Sequence, residues 1–231
     1  MATPSISAII PAYNREQFVA EAIESVLSQD YAPVELIVVD DGSTDDSAGI
    51  IQSYGGQLYY LHQKNQGVAA ARNLGVAHSG GDYLAFLDSD DIWSVGKLSR
   101  QMAVFSAKPA TDAVFGHAVE FADDSIQENL RHTLHISPEP SPAHLMSAML
   151  ISRKMFNCVG EFSVQMNDSV DIDWYMRLQE HTANIVMLPD TLLYRRVHNT
   201  NMSISIRQQK KKVILQTLRA GILRRKQRCG D

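Results

Sequence analysis

The stretch GDYLAFLDSDDIW, Gly81 to Trp93, decides the fold class. After the stop at Gly80 and Gly81, Tyr83 to Leu87 is an apolar run of strand length that ends abruptly in Asp88, Ser89, Asp90 and Asp91. A short apolar run bounded by turn residues reads as a strand buried on both faces, as in a parallel sheet. Upstream the pattern repeats. Ile6 to Ile10 is β-branched and stops at Pro11, while Glu35 to Val39, written ELIVV, ends in the acidic turn DDGSTDDS. Leu58 to Leu61 adds a further strand, and helical spacing marks Gln17 to Ser28, Ser47 to Tyr54, Val68 to His78 and Lys97 to Ala107. This alternation predicts a single α/β domain with an open, mostly parallel sheet flanked by helices.

Past Pro109 the pattern loosens. Asp112 to Phe121 reads as a strand, and Ala122 to Ser141 is a polar, proline-bearing excursion. His144 to Leu150 and Lys154 to Val159 suit short helical or strand segments, Ile172 to His181 suits a helix, and Asn184 to Leu188 and Leu192 to Tyr194 suit two strands.

With 231 residues, 45% of them apolar, the chain is long enough to bury a core without staples. Its 2 cysteines, Cys158 and Cys229, are too far apart for a disulfide framework or thiolate zinc knot, so a reducing, cytoplasmic setting is expected. No apolar stretch approaches the roughly 20 residues that span a bilayer, and MATPSISAIIPAYNRE lacks a signal-peptide pattern. The net charge of -5 is uneven: residues 1–204 hold 12 basic and 25 acidic side chains, and residues 205–231 hold 9 basic and 1 acidic. Ile204 to Ala220 has a helical pattern, and this basic extension suits either peripheral contact with the inner face of a membrane or packing on the catalytic domain. The acidic body argues against nucleic acid as a partner.

Ligands of an open parallel sheet bind beyond the carboxyl ends of its strands. The carboxylates stand at those ends: Asp40 and Asp41 after one strand, and Asp88, Asp90 and Asp91 after another. Asp88-Ser89-Asp90 offers oxygen ligands to Mg²⁺ or Mn²⁺, and such an ion would neutralise a diphosphate that carboxylates alone repel. The plainer reading of the same residues is a cluster of helix caps and turns, which fits Asp45 and Asp46 best. No G-x-G-x-x-G follows a strand and no G-x-x-x-x-G-K-[ST] occurs, which removes NAD-type oxidoreductases and P-loop ATPases. Lys64, Asn65, Arg72 and Asn73 in KNQGVAAARNLG surround a helix start suited to an anion, with Arg72 nearest the nucleotide or else paired with a carboxylate.

Six segments in order, SAIIPAYNR, VVDDGSTDDS, NQGVAAARNLG, GDYLAFLDSDDIW with KLSRQ, VDIDWYMRL and YRRVHNTNMS, resemble the family 2 glycosyltransferases of the GT-A fold. The resemblance runs from Ser7 to Ser203 and implies inverting, metal-assisted transfer of a sugar from a nucleoside-diphosphate sugar, a UDP-sugar first, to a hydroxyl of a saccharide or lipid-linked saccharide. It implies a GT-A domain over 1–204, with a nucleotide-binding part to about 108 and an acceptor part from 109. Pro11, Tyr13, Arg15, Asp40, Asp41, Arg72, Asp88 and Ser89 match donor-binding positions. Asp90, with Asp88 and His198, matches the metal site, and Asp171 matches the general base, against the alternative of a helix cap. Asp173, Trp174 and Arg177 are acceptor-side candidates. Trp93 and Trp174 border the sugar pocket or else fill the core.

One departure stands out. Val170 occupies the position where the family usually has glutamate, and Asp168 is the residue that could compensate. The departure keeps open an inactive sugar-nucleotide binding protein, beside a metal-dependent nucleotidyltransferase.

Overall fold

The computed structural model describes residues 3–124, 126, 136–166, 169–199 and 201. Among these residues nine strands form a single sheet in the order β3-β2-β1-β4-β8-β6-β9-β5, with β7 paired to β6. The first half is built of β1 (Ile6–Ala12), β2 (Val34–Asp40), β3 (Tyr59–His62) and β4 (Tyr83–Phe86), all parallel. The second half is mixed. There β5 (Ile92–Trp93), β6 (Ala113–Ala122), β7 (Ser141–Ala143), β8 (Leu150–Ser152) and β9 (Ile185–Val197) meet in antiparallel pairs, apart from the long parallel β6–β9 ladder.

Alternation along β1 divides the core into two layers, because successive side chains leave opposite faces of a strand. Ile6, Ala8 and Ile10 pack with Val19, Ile23 and Val26 of α1 (Val19–Leu27), Ile51 of α2 (Ser47–Ser53) and Leu98 and Phe105 of α4 (Lys97–Ala107). Ile9, Ile37, Val39 and Phe86 face the other way, onto α3 (Val68–Ala77), α5 (Arg153–Val159) and α6 (Val170–His181). A strand buried on both faces needs no polar alternate positions, which is why these runs are mostly apolar; Ser7 is the buried exception in β1 and bonds to Glu35 of β2.

Three boundaries differ from expectation. Pro11 does not stop β1, which runs on to Ala12 in register with Asp40. Its nitrogen turns toward the β4 side, where β4 has already ended at Phe86, so no ladder hydrogen bond is lost. The two expected C-terminal strands are one strand, β9, in which Leu188, Pro189 and Asp190 bulge opposite Gly116. Helix α6 begins at Val170 with Ser169 at its N-cap, two residues before the expected Ile172. The expected helix from Ile204 and the basic segment 205–231 lie outside the described residues, as does much of the excursion after Ala122. Among the described residues no helix is long and apolar enough to cross a membrane.

Close contact between α3 and the sheet depends on Gly75, where an added Cβ would lie 2.5 Å from Ile9 Cγ2 and 3.3 Å from Val39 Cγ2. Both neighbours are β-branched and buried in the sheet, so neither yields without moving the helix that carries Arg72. Gly75→Val is expected to cost about 1–3 kcal/mol in urea unfolding. Gly56→Ala, at a site with no atom within 4 Å, is the matched control and is expected to stay near wild type.

Candidate active site

A cavity of about 500 Å³ opens over the carboxyl ends of β1, β2 and β4. Pro11, Tyr13, Arg15, Asp41, Asn65, Arg72, Asp88, Ser89, Asp90 and Asp171 all contribute to its wall, so most of the donor-side candidates meet there. Residues far apart in the chain converge because the parallel strands all end at this edge.

Arg72 holds the cavity floor together. It rises from α3 with 2% of its side chain exposed and donates to Asp88 Oδ1 at 2.7 Å and to Asp171 Oδ1 at 2.6 Å. Burial disfavours the guanidinium charge, but the two carboxylates outweigh that cost and push its pKa up. Phe162 stacks 5.3 Å from the guanidinium carbon, and Asn73 grips the Phe162 backbone by donating to its carbonyl and accepting from its N–H. Asp88 keeps 39% of its side chain exposed, but that surface faces the cavity. Desolvation, with help from Asp171 and Asp90 and against Arg72, raises its pKa.

The D-x-D pair divides at the turn, where Asp91 N donates to Asp88 O. Asp90 turns from Arg72 and meets His198 Nε2 at 3.0 Å and Arg15 Nε at 3.2 Å. Burial works against its charge, yet the His198 hydrogen bond and the Arg15 charge prevail and hold its pKa below the usual value. His198 is buried and stacked on Phe18 with ring centroids 4.6 Å apart. Asp91 accepts the Arg196 amide at 3.0 Å, and burial beside Asp90 and Asp88 drives its pKa well up. Arg196 braces the turn from behind, pairing with Glu21 and Asp123 between the rings of Phe18 and Phe121.

The two aspartates after β2 have separate tasks. Asp41 lines the cavity while accepting from Gln63 Nε2 and the amides of Gln66 and Gly67, which fixes the entry to α3. Asp40 is absent from the wall. Its carboxylate accepts from Ser43 N and Tyr60 Oη, closing the turn beneath the site. Asp45 is likewise structural, accepting from the amides of Glu16 and Ser47.

Residues 7–171 match the sequence model of glycosyl transferase family 2. The chain belongs to this family. Its relatives include an uncharacterized glycosyltransferase of Rickettsia prowazekii, 29% identical over 207 residues that cover 85% of this chain and 65% of the relative. An uncharacterized glycosyltransferase of Haemophilus influenzae is 44% identical over 106 residues, 44% of this chain and 42% of that one. The chain therefore spans less than two thirds of the length of these relatives. Among solved structures, S. aureus TarS 1–349 in complex with UDP has TM-score 0.67 and 22% identity over 84% of this chain and 60% of that one. The mannosyltransferase PcManGT of Pyrobaculum calidifontis, in complex with GDP-Man and Mn²⁺, has TM-score 0.69 and 18% identity over 96% of this chain and 65% of that one. At such identities the likeness shows the shared GT-A fold.

The family 2 acceptor-side candidates fall elsewhere than on the cavity wall. Asp173 is buried and pairs with Arg177 at 3.0 Å, and Arg177 also donates to the carbonyls of Val159 and Glu161. Trp174 is fully buried against Phe156 and Phe162, with Nε1 donating to Gly160 O. These three residues seat α6 on α5. Val170, where the family usually has glutamate, borders the cavity and also joins the same apolar layer, and Asp168 lies outside the described residues. Trp93 is in the core. Leu145, Ser169 and Ile172 line the cavity without having been singled out from the sequence. Only the half-exposed Ile172 beside Asp171 carried a signal, an apolar residue on the open face of a helix start.

Among the described residues no group of three or more His, Cys, Asp or Glu side chains is arranged around an ion position. Asp90 lines the cavity and His198 lies buried behind it, off the wall, with Nε2 on Asp90 Oδ2; together they are an oxygen–nitrogen pair of the kind that suits Mn²⁺ or Mg²⁺ when phosphate and water supply the remaining ligands.

A double-mutant cycle on Arg72→Met and Asp171→Asn is expected to give a coupling energy of about 1–3 kcal/mol in equilibrium unfolding, because Arg72→Met leaves Asp171 without its cation and Asp171→Asn leaves the buried Arg72 with Asp88 as its one carboxylate partner among the described residues. Additive effects would contradict the bridge.

Proposed function

We propose that this chain transfers a sugar, with inversion, from a nucleoside-diphosphate sugar to a hydroxyl of a saccharide or lipid-linked saccharide. The observation that carries the reading is the buried guanidinium of Arg72 holding Asp88 and Asp171 on one cavity. A donor-side carboxylate and a base candidate thereby flank the same space. A UDP-sugar is the first donor to test; UDP and UDP-GlcNAc are named for TarS and GDP-Man for PcManGT.

In this mechanism Tyr13, 43% exposed at the cavity, offers a face to the base, and Asp41 offers its remaining acceptor capacity to the base edge. Arg15 and Arg195 bring positive charge to the cavity wall for the diphosphate. Asp171 uses Oδ1 on Arg72; among the described residues Oδ2 has no hydrogen-bond partner, and that oxygen takes the proton of the attacking hydroxyl. The acceptor oxygen forms its bond to the anomeric carbon as the bond to the diphosphate breaks, and the diphosphate leaves with the electron pair. Asp90 and His198 are the residues that would hold Mg²⁺ or Mn²⁺, whose charge would stabilise the departing diphosphate. Arg15, which neutralises Asp90 in this structure, is then free to turn toward phosphate. The basic segment 205–231 would place the enzyme on an anionic membrane surface near a lipid-linked acceptor.

Incubation with UDP-, GDP- and dTDP-sugars, Mn²⁺ and a panel of saccharide acceptors tests the reading. Release of nucleoside diphosphate with a glycosylated product is expected, whereas pyrophosphate would indicate nucleotidyl transfer and binding without turnover an inactive protein. Asp171→Asn is expected to lower the transfer rate by about 10²–10⁴-fold in a folded protein. Asp90→Ala is expected to abolish the Mn²⁺ response; full transfer by Asp171→Asn would remove the base assignment.

A further inference from the structure

We infer that Lys97 is a positioning residue for the donor site, a buried pin that fixes the backbone of Asp88 through Trp93 and the segment Ser147–Met149; its catalytic meaning rests on the glycosyl-transfer reading above.

Lys97 opens α4, and none of its surface reaches solvent. Its ammonium donates to Gln101 Oε1 at 2.9 Å and to Met149 O at 3.2 Å, and it lies 4.1 Å over the Trp93 ring. Gln101 in turn donates from Nε2 to Ala148 O at 3.0 Å and Val114 O at 2.8 Å. Trp93 Nε1 donates to Ser147 O at 2.8 Å. Three consecutive carbonyls, those of Ser147, Ala148 and Met149, are thus held by three side chains that also touch one another. The segment's outward contact is with the site: the Ser147 hydroxyl accepts the amide of Asp88 at 3.1 Å. Asp88 is the carboxylate that meets Arg72.

An ammonium buried away from carboxylates is expensive, and burial alone pushes the Lys97 pKa well down. An apolar side chain of similar length would fill the same space without that cost. What the ammonium adds is direction: two hydrogen bonds and a cation–π contact fix α4, β5 and the Ser147–Met149 segment to each other. The acidic turn hangs from this frame at both ends, at Asp88 through Ser147 and at Trp93 through its ring. Small displacements of a reacting group cost large factors in rate and affinity, so the frame bears on the site without touching substrate.

The test compares Lys97→Met with wild type by amide hydrogen exchange, which needs no ligand, and by calorimetric binding of UDP in the presence of Mn²⁺. The amide of Asp88 is expected to exchange at least about tenfold faster while Ile37 and Val38 of β2 keep their protection, and UDP is expected to bind about tenfold more weakly. Ser147→Ala is expected to reproduce the loss at Asp88. Should Lys97→Met fail to fold, Lys97→Gln, which retains a donor, is read in the same two ways. Unchanged exchange at Asp88, or an equal loss of protection at Asp88, Ile37 and Val38, overturns the positioning role. Failure of wild type to bind UDP would count against the donor assignment instead, and exchange at Asp88 would still decide the role of Lys97.

Discussion

A buried cation sets the terms for this structure. Arg72 has almost no access to water, and burying an unpaired guanidinium would cost more than a small domain can spare. Its partners come from distant parts of the chain, Asp88 lying 16 residues away and Asp171 lying 99. Satisfying Arg72 therefore requires α3, the end of β4 and the start of α6 to meet at one point. The packing that permits this is specific: Gly75 lets α3 settle onto β1, Asn73 grips the loop at Phe162, and the Trp174 layer seats α6.

The same logic explains how so many carboxylates share one edge of the sheet. Each has its own compensation: Asp88 and Asp171 share Arg72, Asp90 has Arg15 and His198, Asp91 has the Arg196 amide, and Asp41 has three donors from the loop before α3. The pKa directions follow that division. Asp90, beside two cationic or polarisable donors, is held down, whereas Asp91, buried among other carboxylates, is driven up. In the proposed reaction the same arrangement would suit a polyanion that arrives with its own cation, because Arg15 is bound to the carboxylate a metal would take.

The parallel half of the fold was legible from apolar runs alone, since strands buried on both faces leave no polar alternation to confuse the reading. The convergence of Asp41, Asp88 and Asp90 on one cavity was legible for a related reason: they stand at strand ends, a position that sequence order reveals. Asp40 misled because adjacent residues at a strand end point opposite ways, and only one of them faces the cavity. Asp173, Trp174 and Arg177 misled because only the start of that helix, Val170, Asp171 and Ile172 after the N-cap Ser169, borders the cavity, and the residues beyond it pack on α5. Ser147 and Lys97 gave no signal, because their effect on Asp88 passes through backbone carbonyls that no local pattern records.

A crystal structure with Mn²⁺ and a bound UDP-sugar tests the central claim, that one buried guanidinium joins the donor carboxylate and the base across a single reaction space. The sugar ring is predicted to lie between Asp88 and Asp171, with both hydrogen bonds of Arg72 intact and Asp171 Oδ2 facing the anomeric carbon. A sugar bound away from Asp171, or an Arg72 released from it, would contradict the account.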